Sequence, residues 1–311
     1  VLIAILLGIL MGNAFTPRPG MMIGLDFTQQ YILKLGIIFL GIRLSFSDFI
    51  KFGFVAIPLV IFCILGVLIL IKLLIKKVPI SSKMSYLIAI GTSVCGATAI
   101  VATAPVINAK KTEVAYAIAN ITLFGVIAML VYPYFAEWYF DNNALEAGLF
   151  LGTSIHETSQ VAAAGLIYDQ QFNNPETLDV ATVTKLIRNT FLVILIPLFA
   201  FLYNRGEFKE QKYSILSIFP YFVLGFIGMI ILRNFGDQLF SVESENFYAW
   251  SRFIEYLKIL ATVFLTMAMA AVGISINLSE LKSMGYKPFV VGLIAAVTVG
   301  IISLIYIETL I

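Results

Sequence analysis

Charge is scarce in this chain: Asp, Glu, Lys and Arg make up 12% of 311 residues, and the net charge is +2 at pH 7. That balance offers no basic surface for a nucleic acid, and it leaves a water-soluble domain without its polar coat. Histidine occurs once, at His156, and cysteine twice, at Cys63 and Cys95, both inside apolar stretches. No disulfide framework or zinc spacing follows from them. The H-E-x-x-H, G-x-S-x-G and P-loop patterns are missing as well, so neither a metal, a cofactor nor direct ATP coupling is expected, and the chain does not read as an enzyme.

What the chain has in excess is apolar surface: 60% hydrophobic residues, 26 Phe and a mean hydropathy of +0.97. Apolar runs recur at 31–46, 54–75, 84–109, 114–135, 145–168, 180–203, 213–232, 258–278 and 286–311. Most are near the ~20 residues that cross a bilayer as helix. The alternation of a membrane barrel is absent. The expected fold is therefore an all-α polytopic membrane protein, a single membrane domain over residues 1–311. Residues 1–14 are apolar too and read as a membrane helix that begins earlier; a signal sequence is the alternative, without its basic leader or cleavage site.

Lys and Arg concentrate in short cytoplasmic loops, and this orients the chain. Lys72, Lys76, Lys77 and Lys83 precede the run at 84–109, and Lys110 and Lys111 follow it, so both of its ends read as cytoplasmic. The linkers at 136–146 and 169–179 carry Glu137, Asp141, Glu146, Asp169, Glu176 and Asp179 with no Lys or Arg, and read as external. The runs 84–109 and 145–168 would then each enter and leave on one side, as re-entrant hairpins. Full spans unwound in the middle are the alternative. Further on, the loop with Arg205, Lys209 and Lys212 reads as internal and that with Asp237, Glu243 and Glu245 as external.

Both broken runs contain the same kind of passage. "GTSVCGATAI" at 91–100 and "GTSIHETSQV" at 152–161 align without a gap, Gly91-Thr92-Ser93 over Gly152-Thr153-Ser154 and Thr98 over Ser159. A second pair, "GIRLSFSDFIKFG" at 41–53 and "GISINLSELKSMG" at 273–285, places Asp48 over Glu280. Matching passages on opposite sides of the membrane are the mark of inverted repeats, here 31–135 and a circularly shifted 145–311.

Irregular backbone at membrane depth is tolerated only where protein buries it or it lines a watery cavity. Gly91, Gly96 and Gly152 permit the turns, and Thr92, Ser93, Thr98, Thr153, Ser154, Thr158 and Ser159 offer hydroxyls. Helix N-termini at such breaks favour an anion. Close helix packing through small residues is the bland alternative. Charges inside spans are the second signal. Lys185 and Arg188 are three residues apart and share a helix face. Arg188 would clamp a substrate anion or pair with Glu157. His156 reads as a proton carrier with Glu157 beside it, or as a quiet hydrogen-bonding residue; a Ser154–His156 nucleophile pair would diverge in so short a turn. Arg43 belongs to the site or snorkels to the surface, and Lys34 and Lys258 read as snorkelling. Asn120 and Asn189 should bond to neighbouring helices.

On "GIRLS" (41–45), "GTSVCGATAIVATAPVI" (91–107), "EVAYAIANITLFG" (113–125), "GTSIHETSQVAAAG" (152–165) and "KLIR" (185–188), in this order, the chain resembles the YeiH-type family of bacterial membrane proteins, often labelled sulfate exporters. The resemblance covers essentially the whole chain. It implies a multi-pass secondary transporter of the bacterial inner membrane, with inverted repeats and a substrate held by two broken segments entering from opposite sides. The chain departs from the family at Thr158-Ser159, where an apolar pair is more usual; the added hydroxyls bear on substrate identity.

The expectation is thus a carrier of a small anion, sulfate or a related oxyanion, coupled to H⁺ or Na⁺, with Thr92, Ser93, Cys95, Gly96, Thr98, Thr153, Ser154, Ser159, Lys185 and Arg188 around the substrate. His156 and Glu157 would handle the coupling proton. An anion channel, a carrier of small organic carboxylates and a membrane-embedded enzyme remain as alternatives. The bilayer is the expected surrounding, and the oligomeric state, a homodimer included, stays open.

Overall fold

Lipid satisfies no backbone N–H or C=O group, so an apolar chain in a bilayer must bond to itself locally, and this one does so with helices. The structure is a computed structural model that describes residues 1–15, 18–74, 80–203, 220–240, 246–276 and 286–311. Among the described residues every regular element is helical. Seven helices are long and apolar enough to cross a membrane: Pro19–Arg43, Phe46–Leu73, Lys111–Phe140, Pro175–Phe199, Phe222–Leu239, Phe247–Ser275 and Tyr286–Leu310. Lys76, Lys77, Arg205, Lys209, Lys212, Glu243, Glu245 and Glu280, with most of the second matched passage at 273–285, lie outside the described residues.

The order is α1 (Leu2–Ala14), α2 (Pro19–Phe27), a π-helical turn (Thr28–Ile32), α3 (Leu33–Leu40), a 3₁₀ turn (Gly41–Arg43) and α4 (Phe46–Leu74). Then come α5 (Ser82–Ser93), α6 (Ala97–Thr103), α7 (Lys111–Phe140), α8 (Ala144–Ser154), α9 (Thr158–Phe172) and α10 (Pro175–Thr190). The chain continues through α11 (Leu192–Tyr203), α12 (Phe222–Leu239), α13 (Phe247–Ser275) and α14 (Tyr286–Leu310). The first long span starts at Pro19 rather than 31, because a proline at the first helical position nucleates α2, whose helix runs through the π turn into α3.

Residues 82–103 and 144–172 are helical hairpins. Lys83 Nζ donates to the Asn108 carbonyl at 2.7 Å, and the Ser81 hydroxyl bonds to Glu113, so the first segment ends where it began. Asn174 Nδ2 donates to the carbonyl and side-chain oxygen of Asn142 at 2.9 and 2.8 Å, which closes the mouth of the second in the same way. Between the mouths runs α7, 30 residues and so about 45 Å of helix. The hairpins therefore open at opposite ends of α7 and point their tips toward each other.

Packing sorts the helices into two bodies. α4 to α10 and α14 form a core body, in which α10 packs against α4, α8 and α9, and α14 against α4, α5, α7 and α8. α1, α2, α3, α12 and α13 form a panel. In the panel α1 and α13 approach at backbone contact, since a Cβ on Gly8 or Gly273 would lie 2.5 Å from the Ala270 or Ile5 carbonyl. In the core Asn120 Nδ2 donates to the Pro288 carbonyl of α14 at 2.7 Å, and Asn189 Nδ2 to Thr158 Oγ1 at 2.9 Å, the inter-helix bonds expected of both asparagines. Each sequence half, 31–135 and 145–311, contributes helices to both bodies.

Candidate functional site

The first tip is the break between α5 and α6. Val94 leaves the helix at φ −126°, ψ −97°, and Gly96 takes φ +69°, ψ −126°, a region L side chains avoid. A Cβ on Gly96 would also lie 2.5 Å from Glu157 Cγ. Glycine is thus required here by conformation and by space. The second tip, Ile155 to Glu157, is extended at Ile155 and Glu157 and needs no glycine.

The last carbonyls of α5 and α8 have no partner within their helices and carry the negative end of the helix dipole. Two side chains of α10 take them. Lys185 Nζ donates to the carbonyls of Val94 and Ile155, each at 2.9 Å, and to that of His156. Arg188 donates through Nε to the Ser93 carbonyl at 2.7 Å, and through its terminal nitrogens to Thr153 at 2.5 Å, Ile155 at 3.1 Å and Thr92. Both side chains are fully buried. All three Lys185 donors are spent, and Arg188 forms no ion pair with Glu157; the ion pairs among the described residues involve Arg43 and Arg233.

Glu157 sits where the restarting helices meet. Its carboxylate accepts from the Ala97 N–H at the start of α6, while Thr122 Oγ1 of α7 stands 3.5 Å from Oε1. Its backbone N–H donates to Gln160 Oε1 at 3.1 Å.

In front of the tips lies a cavity of about 570 Å³ between the two bodies. The core body lines it with Cys95, Ala97, Thr98, Glu157, Thr158 and Ser159, and the panel with Gln29, Gln30, Leu33, Lys34, Phe222 and Val272. Gln29 and Gln30 belong to the π turn, and Gln29 Nε2 is held by Ser275 Oγ at 2.7 Å and the Ala271 carbonyl at 3.1 Å.

Of the residues that sequence singled out, Cys95, Thr98, Glu157, Thr158 and Ser159 reach the cavity. Thr92, Ser93, Thr153, Ser154 and His156 are buried behind them, and Gly96 forms the turn. Thr153 Oγ1 bonds to Ser303 Oγ of α14 at 2.7 Å, fixing the second hairpin from behind. Thr92 Oγ1, Ser93 Oγ, Ser154 Oγ and both His156 ring nitrogens have no hydrogen-bond partner among the described residues. Arg43 does not snorkel: its Nε donates to Asp179 at 2.8 Å, with Asp169 at 3.7 Å and the Pro175 carbonyl at 3.2 Å, so it ties the panel to the core body. Lys34, read as a snorkelling residue, lines the cavity. Gln29, Gln30 and Thr122 were missed; two adjacent amides in an apolar neighbourhood were the signal available for the first two.

Residues 1–292 match the family described as conserved hypothetical protein 698. A UPF0324 membrane protein of Streptococcus agalactiae is 36% identical over 299 residues, covering 96% of this chain and 86% of its own. One from Fusobacterium nucleatum is 33% identical over 306 residues, covering 96% and 88%. The UPF0324 membrane protein YdhF of Lactococcus lactis is 32% identical over 317 residues, covering 99% and 90%. No solved structure matches. The YeiH-type family that the sequence resembles is this same family. With several apolar helices and homologues that are membrane proteins over nearly its full length, the chain is a multi-pass membrane protein that belongs to the conserved hypothetical protein 698 family, the UPF0324 membrane proteins.

Proposed function

We propose that this protein is a secondary carrier that moves a small anion across the bacterial inner membrane by shifting the core body against the panel. One observation carries the reading: a cavity lies between two bodies, and its core wall is made by the tips of two hairpins that open at opposite ends of α7. Such a site at mid-depth, served by broken helices, suits alternating access. Lys34, the hydroxyls of Thr98, Thr158 and Ser159, and the first turn of α9 favour the acid group of a substrate. Glu157 in the same cavity would take the coupling proton, so that anion and proton load together.

The role of Lys185 and Arg188 in this reading is to hold the tips, since the carbonyls of residues 92–94, 153, 155 and 156 absorb their donors. Leu33, Phe222 and Val272 on the panel side give the cavity an apolar wall, which favours a small organic carboxylate over inorganic sulfate. Ser154 Oγ and the His156 ring make no hydrogen bond to each other, which supports a carrier over an enzyme using this pair.

The test is ligand-dependent melting of the detergent-purified protein, followed by counterflow in proteoliposomes. The melting panel holds sulfate, sulfite, bicarbonate, chloride and small carboxylates at two pH values, with and without Na⁺. A ligand bound only to the folded state raises the melting temperature. One anion is expected to stabilise selectively and to show saturable exchange. Flux that does not saturate and shows no counterflow would mean a channel, and the carrier reading would fall.

A further inference from the structure

We propose that the ammonium of Lys185 permanently occupies a monovalent-cation site built from the carbonyls of both hairpin tips, so that the carrier works without a Na⁺ ion at this crossing. The consequence for coupling rests on the carrier reading; the site itself does not.

Three main-chain oxygens converge on Nζ: Val94 from the first tip, Ile155 and His156 from the second, the former two at 2.9 Å. All three are acceptors only. Satisfying them takes three N–H donors, which a neutral amine lacks and an ammonium has. The group is fully buried, on a side chain that enters from α10, and no carboxylate lies within ion-pairing distance of it among the described residues. What compensates its charge is the pair of helix C-termini, with Glu157 farther off.

Unwound carbonyls and half-helix C-terminal ends at the crossing of two broken helices are the groups that transporters use to coordinate Na⁺. Here the same groups are present, converge on one point, and are filled by a covalently attached cation. K⁺ is close to ammonium in size and fits the Val94 and Ile155 oxygens as they stand; Na⁺ would draw them inward. An ion replacing Nζ would meet the same carbonyl oxygens that the ammonium meets. A proton on Glu157, or exchange of one anion for another, is then left to drive transport.

The experiment is melting of the full-length protein in NaCl, KCl, NH₄Cl or choline chloride at equal ionic strength. The wild-type protein is expected to melt at one temperature in all four salts. Lys185→Ala removes the ammonium and opens the oxygen cage. Its melting temperature should fall in choline and recover by roughly 5 °C, saturably, in KCl or NH₄Cl. Lys185→Gln, which keeps part of the side chain without the charge, serves if the alanine variant does not survive extraction. Recovery of folded variant only in KCl or NH₄Cl counts as the same result.

A saturable gain of the wild-type protein in NaCl or KCl over choline overturns the proposal. So does a folded variant indifferent to all four salts, or variants that no salt recovers. The melting curves are read without solute, so their failure leaves the carrier reading standing. A normal cation response with no saturable flux of any anion would remove the carrier reading alone.

Discussion

The two tips start from the same Gly-Thr-Ser and end up doing different work. Position by position, Val94 matches Ile155, Cys95 matches His156 and Gly96 matches Glu157. The matched carbonyls of Thr92 and Thr153 both accept from Arg188, and those of Val94 and Ile155 both accept from Lys185. Up to that point the tips are near copies around a shared brace. At the third position of the break they diverge, because Glu157 Cγ stands 2.5 Å from where a Gly96 Cβ would be. One tip gives up a side chain so that the other can place a carboxylate. The first supplies room and the second supplies charge.

Breaking the shared part should have the largest effect. Arg188→Ala leaves the Thr92, Ser93 and Thr153 carbonyls without donors and Ile155 with Lys185 alone, and the variant should lose on the order of 4 kcal/mol of stability, read as melting temperature and yield of monodisperse protein. If it melts like the wild type but no longer binds anion, Arg188 belongs to the substrate and not to the brace.

Next comes the point of divergence. Gly96→Ala forces an L residue to φ +69° against Glu157 and should destabilise by about 3 kcal/mol. Adding Glu157→Ala should return the part due to crowding while the backbone strain stays. A double variant no better than the single one would mean that the two positions do not share space.

Glu157→Gln keeps the shape and removes the charge. Anion exchange should persist, while the pH dependence of net transport should flatten, measured as initial rates across a pH series. A normal pH response would move the coupling proton elsewhere, His156 being the next group to test.

The smallest effects concern the matched hydroxyls. Ser159→Ala should weaken anion affinity roughly threefold to tenfold, and Thr98→Ala less, since α9 is 15 residues long and α6 only seven. Stability should change by ~0.5 kcal/mol or less at the exposed Thr98. Equal losses, or the reverse order, would mean that the tips share the anion differently from what their lengths suggest.

Much of this was written in the sequence. Small and hydroxyl residues inside apolar runs marked both breaks, and the loop charges on either side of 84–109 predicted a segment that returns to its own side. The three-residue spacing of Lys185 and Arg188 put both on one face, but what they reach was hidden. Backbone carbonyls have no residue type, so a charge that bonds to them looks in sequence like one awaiting a ligand or a carboxylate. Gln29 and Gln30 escaped because they precede the run counted from residue 31, and their place on the cavity depends on which body α2 and α3 join. That partition follows from helix contacts between distant parts of the chain, such as α1 with α13, which no local pattern announces.

Cys95 is half-buried on the cavity wall, and Cys63, the other cysteine of the chain, is buried in the core. The protein therefore carries its own reporter. A thiol reagent that cannot cross lipid, applied to sealed vesicles from one face and then the other, labels Cys95 only when the cavity is open to that face, and a bound solute would slow the labelling from either.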